Sequence, residues 1–261
     1  MWLFLVQEAY MSAGRGLFRR CRQLIQGPRN NVGETNERSR IIWLEQTLKK
    51  IPAGGRILDA GAGEQRFRKL CSHLKYVAQD FGQYDGKGDA RALQTGSWVQ
   101  TGLDIVSDIT AIPEPDASFD AVMCVEVLEH LPNPKLAITE FARLLCSGGH
   151  LVLTAPFCSL THFAPYHFCT GFNRYFYEYH LPAAGFEILE LTSNGNYFEY
   201  LAQEVRRIPE VSKRYCKSGV RIWEKVAASV LLCMLRRLSL RDSGSNDFLT
   251  FGFHVHAIKS L

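Results

Sequence analysis

Along the chain the apolar positions change period several times, and each change marks an element. Ile41, Leu44, Leu48 and Ile51 recur at helical spacing until Pro52 and Gly54-Gly55 break the run, which predicts a helix over about 36–50. Arg56-Ile57-Leu58-Asp59 is a short apolar strand closed by glycines. Phe67, Leu70, Cys71 and Leu74 then fall at i, i+3, i+4 and i+7, the mark of an amphipathic helix. Residues 76–80 read as a second strand ending on Asp80, and residues 103–106 as a weaker third before Asp108. Phe119 to Val125 is an apolar run of the kind buried on both faces of a parallel sheet. Asn133-Pro134 supplies an N-cap with proline at the first helical position. Leu136, Ala137, Phe141, Leu144 and Leu145 form the stripe of a helix that Gly148-Gly149 ends, and a strand from His150 to Thr154 follows at once.

This alternation predicts an α/β fold: a Rossmann-like, doubly wound, mostly parallel seven-stranded sheet with right-handed crossovers. Two late segments, Phe186 to Leu191 and Phe251 to Ile258, are expected to close it as an antiparallel edge. Residues 1–33 read as an N-terminal helical extension and linker, ending in the turn-rich Gly27-Pro28-Arg29-Asn30-Asn31, and the main domain is expected to run from 34 to 261. The glycine-rich stretch from Gln83 to Thr101 stands where a helix commonly sits; it reads as a functional lid or as a disordered excursion.

Composition narrows the partners. Hydrophobic residues make up 46% and charged residues 21%, as in a globular protein and unlike a disordered or collagen-like chain. A formal charge of +4 without runs of like charge gives nucleic acid no support as a partner. Arginines cluster at Arg15, Arg19, Arg20 and Arg22 and again at Arg236, Arg237 and Arg241. They are read first as solvated helix faces, with an anionic surface or RNA as the alternative. Eight cysteines without a C-x-x-C pair indicate reduced thiols of a cytoplasmic protein, neither a disulfide frame nor a zinc site. Met1 to Val6 is too short for a signal peptide and Val226 to Leu235 too short to span a bilayer. Peripheral membrane contact stays open, and the oligomeric state is not legible.

In such a sheet a ligand sits beyond the carboxyl ends of the strands, which places Asp59, Asp80 and Asp108 in one crevice. Gly61-Ala62-Gly63 gives a bend where backbone approaches a ligand and feeds a helix N-terminus. Asp80, about twenty residues on, is placed to accept from ribose hydroxyls. Singly, each aspartate is more often a turn former; their joint spacing describes a nucleoside site. Dinucleotide folds want G-x-G-x-x-G, and the last position here is Arg66, which argues against a nicotinamide cofactor. Of the later acids, Glu129 is expected on a helix surface.

The ordered set Ile57-Leu58-Asp59-Ala60-Gly61-Ala62-Gly63, Asp80, Asp108-Ile109 and Phe119 to Val125 followed by Glu126-Val127-Leu128-Glu129-His130-Leu131 resembles the class I S-adenosylmethionine-dependent methyltransferases, in particular the small-molecule, type 11-like branch. The resemblance covers about residues 40–190. It implies that Asp59, Ala60, Gly61 and Gly63 hold the methionine end, that Asp80 binds the ribose, that Asp108 and Ile109 meet the adenine, and that Val125 and Glu126 line the pocket below the sulfonium. Where many members carry a further glycine this chain has Glu64-Gln65, so the methionine end is expected to be held differently, with Arg66 as a candidate for its carboxylate.

Residues 155–182 are the candidate acceptor cover, rich in Phe and Tyr, with His162 and His167 as candidate catalytic bases. The competing reading is that these aromatics are core and the histidines cap turns. His254 and His256 fall on one side of a strand, and without a third ligand no metal is expected there. The expected function is methyl transfer from S-adenosylmethionine to a small acceptor, a sugar or lipid-linked biosynthetic intermediate before protein or DNA. The alternatives are an RNA methyltransferase, a catalytically silent methyltransferase-like module and a nicotinamide-dependent oxidoreductase.

Overall fold

The computed structural model describes residues 31–260, and seven strands within that span join into one sheet. They are β1 (Arg56–Ala60), β2 (Lys75–Asp80), β3 (Ile105–Val106), β4 (Phe119–Val125), β5 (Leu145–Pro156), β6 (Phe186–Asn194) and β7 (Gly252–Lys259). Their order across the sheet is β3-β2-β1-β4-β5-β7-β6. The first five pair in parallel, while β7 lies antiparallel to both β5 and β6. This is the doubly wound sheet with an antiparallel edge. The order reverses at β1, so the ends of β1, β2 and β4 face one crevice. The N-terminal helix expected ahead of residue 33 lies outside the described residues.

The described residues divide into two compact units. The larger holds the sheet, with helices α1 (Asn36–Leu48), α2 (Pro134–Leu144) and α3 (Arg174–Ala183). Alternate residues of its central strands supply two cores. Leu58, Val122, Cys124 and Leu153 pack with Ile138, Phe141 and Leu181 on one side. Ile57, Ala121, Met123 and Val152 pack with Trp43, Leu44 and Leu48 of α1 on the other. Burying such a side chain completely contributes about 1.5–3 kcal/mol, so both faces of β4 are strongly specified. The smaller unit holds α4 (Tyr197–Val211) and α5 (Ile222–Ser239), and Val32, Ala202 and Leu235 form its centre. Among the described residues no helix is long and apolar enough to cross a membrane.

Two expectations are corrected. The amphipathic spacing at 67–74 does not produce an α-helix: only Arg68–Cys71 is helical, as one turn of 3-10 type. Gly61, Gly63 and Gln65 all take positive φ, which a right-handed helix cannot accommodate, so no helix propagates from this turn. The apolar positions are used regardless, since Phe67, Leu70, Cys71 and Leu74 all pack on the second core. Further on, Gly148-Gly149 do not end α2, which has already stopped at Leu144. They lie inside β5, where the pairing with β4 jumps from Phe119 opposite Leu145 to Ala121 opposite His150. Asn133 does stand at the N-cap of α2, but its side chain makes no capping bond.

Candidate active site

The glycine turn after β1 is built by its own backbone. The amides of Gly61 and Ala62 donate to the Gln79 carbonyl at 2.9 and 2.8 Å, and that of Gly63 donates to Asp80 Oδ2 at 2.9 Å. Each glycine is demanded by a neighbour: a Cβ on Gly61 would lie 2.6 Å from Val127, and one on Gly63 2.6 Å from the Trp98 ring. With these amides engaged and no α-helix beginning here, the turn has no row of free N–H groups for a pyrophosphate. That fits a nucleoside without phosphates and counts against a dinucleotide.

Three carboxylates stand at the strand ends. Asp59 is buried and accepts a hydrogen bond from the Tyr76 hydroxyl. Burial pushes its pKa up to about 7, opposed by that bond and reinforced by the neighbouring charge of Asp80. Asp80 also accepts at Oδ1 from the Gly82 amide (2.9 Å) and from Gln100 Nε2 (2.7 Å). Glu126, at φ +55°, accepts from Thr154 Oγ1 at 2.9 Å and pairs with Arg40 of α1 at 3.0 Å. Tyr76, Gln100, Thr154 and Arg40 are partners that no local spacing announces.

Above the turn, residues 83–101 are tied to the cover. Leu93 pairs with His162 as an isolated parallel bridge, and the Ala164 carbonyl accepts from the Asp89 amide and Gln94 Nε2 at 3.1 Å each. The Phe163 ring sits 4.5 Å from Tyr84, 5.1 Å from Trp98 and 5.1 Å from His130. Phe163 therefore links the tryptophan over Gly63 to a cluster of histidines.

That cluster surrounds Glu129. Contrary to the surface expectation, Glu129 is only 1% exposed. It lies in the single 3-10 turn Leu128–His130, and its carbonyl accepts from the amides of Phe168 and Cys169, which hold the cover against it. His130 Nε2 lies 3.8 Å and His162 Nε2 4.0 Å from Glu129 Oε1. The ring of His167 is 5.0 Å from that of His162, and its Nε2 meets Ser159 Oγ at 3.1 Å. His130 Nδ1 donates to the Tyr166 carbonyl at 2.5 Å, which leaves its Nε2 as a bare lone pair. Burial pushes the Glu129 carboxyl well above the usual carboxylate range and His130 down to about 3, so burial favours the uncharged form of each. Glu129 Oε2 and His130 Nε2 are buried without a hydrogen-bond partner among the described residues. Glu129, His130 and His162 also bring donor atoms within 4.8 Å of one another, the one such group able to ligate a cation among the described residues.

Comparison with known proteins decides the family. Residues 58–153 match a family described as a methyltransferase domain. A demethylmenaquinone methyltransferase of Renibacterium salmoninarum is 30% identical over 183 residues, covering 69% of this chain and 70% of that protein. The chain belongs to the class I S-adenosylmethionine-dependent methyltransferase family. A ubiquinone biosynthesis O-methyltransferase of Xanthomonas axonopodis pv. citri is 37% identical over 106 residues, 40% of this chain; the chain spans only 44% of that relative's length. Among solved structures, a SAM-dependent methyltransferase from Archaeoglobus fulgidus superposes with a TM-score of 0.51 at 14% identity, covering 85% of this chain and 94% of its own. The cyclase SpnF does so with a TM-score of 0.50 at 18% identity, covering 84% and 80%. One fold thus carries two kinds of reaction, and the chemistry must be argued from the site.

In this chain the sequence-predicted residues do not all converge. Asp59, Gly61, Gly63, Asp80 and Glu126 border the crevice at the strand ends. Ala60 and Ile109 are core residues beneath it, and Val125 packs on the second core. Asp108 is exposed and holds a turn, accepting from Thr110 N and Oγ1 at 2.8 Å each. Arg66 pairs with Glu37 on the surface. His254 stacks on Trp43 and His256 contacts His150, so both are packing residues, pushed down to about 4 by burial. Glu129 and His130 are the site residues that spacing missed. Their only local signal is two polar residues inside an otherwise apolar Val127–Leu131 run.

Proposed function

We propose that this chain transfers the methyl group of S-adenosylmethionine to a hydroxyl of a small, ring-bearing, lipid-linked acceptor held beneath residues 155–182. The observation that carries the reading is the Glu129–His130–His162–His167 cluster, joined to the glycine turn through Phe163 and Trp98. Asp80 and Asp59 hold the ribose and amino-acid ends of the cofactor, with Gly61 and Gly63 supplying the close backbone, and Glu126 lies under its sulfur. When bound, the cofactor supplies an electrophilic methyl group.

The protein supplies position and a proton acceptor. A hydroxyl that gains a methyl group must lose its proton. His162 is the most accessible ring beside Glu129, with 26% of its side chain exposed. The positive charge it gains develops 4.0 Å from Glu129 Oε1, an oxygen that carries partial negative charge whether or not the carboxyl holds its proton. His167, held by Ser159, positions it. The aromatic cover excludes water and stacks the acceptor ring. An oxygen acceptor agrees with the name of the Xanthomonas relative, which acts in ubiquinone biosynthesis.

The test is to offer the full chain S-adenosylmethionine with hydroxylated-ring acceptors and follow S-adenosylhomocysteine release. His162→Gln is expected to lower kcat by about 10²–10⁴-fold with cofactor affinity unchanged, the usual contribution of a general base. Full activity in that variant would remove His162 from the mechanism. Turnover on RNA alone would replace the acceptor class.

A further inference from the structure

The smaller unit carries a surface that methyl transfer does not use. One side of α5 is inward, with Leu235 buried beside Val32 and Ala202. At about 100° per residue, Ile222, Trp223, Val226, Val230 and Met234 all fall in the opposite half of the helix. All five are exposed, Ile222 by 82% and Trp223 by 63%. The outer face of a surface helix is ordinarily polar, so this one is reversed.

Cations rim it. Residues 211–241 carry eight lysines and arginines against one carboxylate, Glu224. All eight are exposed, and among the described residues none pairs with a carboxylate. Glu224 itself is engaged at the helix start, accepting from the Arg221 amide at 2.7 Å. The helix is not long and apolar enough to cross a membrane, but an exposed apolar half with tryptophan at one end and a cationic border suits one that lies in the bilayer surface.

We infer that α5 is an interfacial helix that lays its Trp223 face into an anionic lipid surface. Charge selects this occupant. Residues 1–30 hold five arginines against the single acid Glu8, so that segment and a second copy of α5 would both meet the face with like charge. An anionic bilayer complements the cations and also takes up the apolar half. Nucleic acid would answer the cations and leave five apolar side chains in water. The inference rests on this unit alone and is independent of the methyl acceptor.

The experiment is co-sedimentation of the full chain with vesicles of phosphatidylcholine alone or with about one third phosphatidylglycerol. Binding to the anionic vesicles is expected to exceed that to the neutral ones at least about tenfold and to weaken as salt rises. Trp223→Glu/Val230→Glu is expected to lower it at least about tenfold with the melting midpoint unchanged, because both side chains face solvent. Lys225→Gln/Arg236→Gln is expected to flatten the salt dependence. Vesicle binding unchanged by Trp223→Glu/Val230→Glu would overturn the inference, as would no binding to anionic vesicles. A dimer dissociated by that variant would assign the face to a second copy, and vesicle binding that appears only after removal of residues 1–30 would assign it to that segment. RNA binding without vesicle binding would assign the cations to nucleic acid.

Discussion

Asp59 makes the stability of the larger unit depend on pH in a direction opposite to that of a salt-bridged carboxylate. Burial holds its carboxyl at about 7 against an ordinary 3.8. Between those two values the unfolded chain has lost the proton that the folded chain keeps. Raising the pH through that window therefore weakens the fold, and above it, with both states ionised, the dependence ends. A tenfold change in acidity corresponds to about 1.36 kcal/mol, so the full effect is at most about 4 kcal/mol. Asp59→Asn keeps the shape and still accepts the Tyr76 hydroxyl, but does not titrate. Urea denaturation at about pH 5 and about pH 7.5 is expected to show the variant gaining about 2–4 kcal/mol on the wild type between the two conditions. Glu129 is raised as well and adds its own slope to both proteins, so the difference isolates Asp59. The variant is expected to bind S-adenosylhomocysteine more weakly, a trade of affinity for stability. Parallel pH profiles for the two proteins would refute the reasoning.

Other substitutions probe the remaining contacts. Gln100→Ala frees Asp80 Oδ1 of a charge-assisted bond worth about 1.5 kcal/mol, so calorimetry is expected to show S-adenosylhomocysteine binding about tenfold tighter. Weaker binding would mean that Gln100 itself holds the nucleoside. Gly63→Ala forces a methyl group against Trp98 at positive φ and is expected to cost about 1–3 kcal/mol in a thermal melt, partly relieved by Trp98→Leu; an unchanged melt would contradict the close approach. Arg40→Ala leaves Glu126 with only Thr154 and is expected to destabilise by about 1–3 kcal/mol, less once Glu126→Gln is added, as a double-mutant cycle would show. If His162 acts as the base without a metal, turnover survives chelation by EDTA; its loss would mean that Glu129, His130 and His162 hold a cation.

The central strands were legible because both of their faces are apolar, and the glycine turn because only glycine fits against Val127 and Trp98. The spacing at 67–74 misleads because it reports which side chains go inward and is blind to the positive φ of Gln65, which stops the helix. Glu129 is hidden for a different reason. Phe168 and Cys169, whose amides close on its carbonyl, are residues far along the chain. Arg40–Glu126, Tyr76–Asp59 and Gln100–Asp80 are likewise tertiary pairings. Asp108 shows the converse, a strand-end acid whose structural work is the local turn it caps.

The most direct measurement is calorimetric titration of the full chain with S-adenosylhomocysteine, alongside Asp80→Asn. Saturable one-site heat, weakened at least about tenfold in the variant while its melt shows it folded, is the expected result if Asp80, which accepts from the Gly63 amide, also holds the ribose as proposed. A folded wild type that releases no heat, or a variant that binds as tightly, would contradict the nucleoside site on which the rest depends.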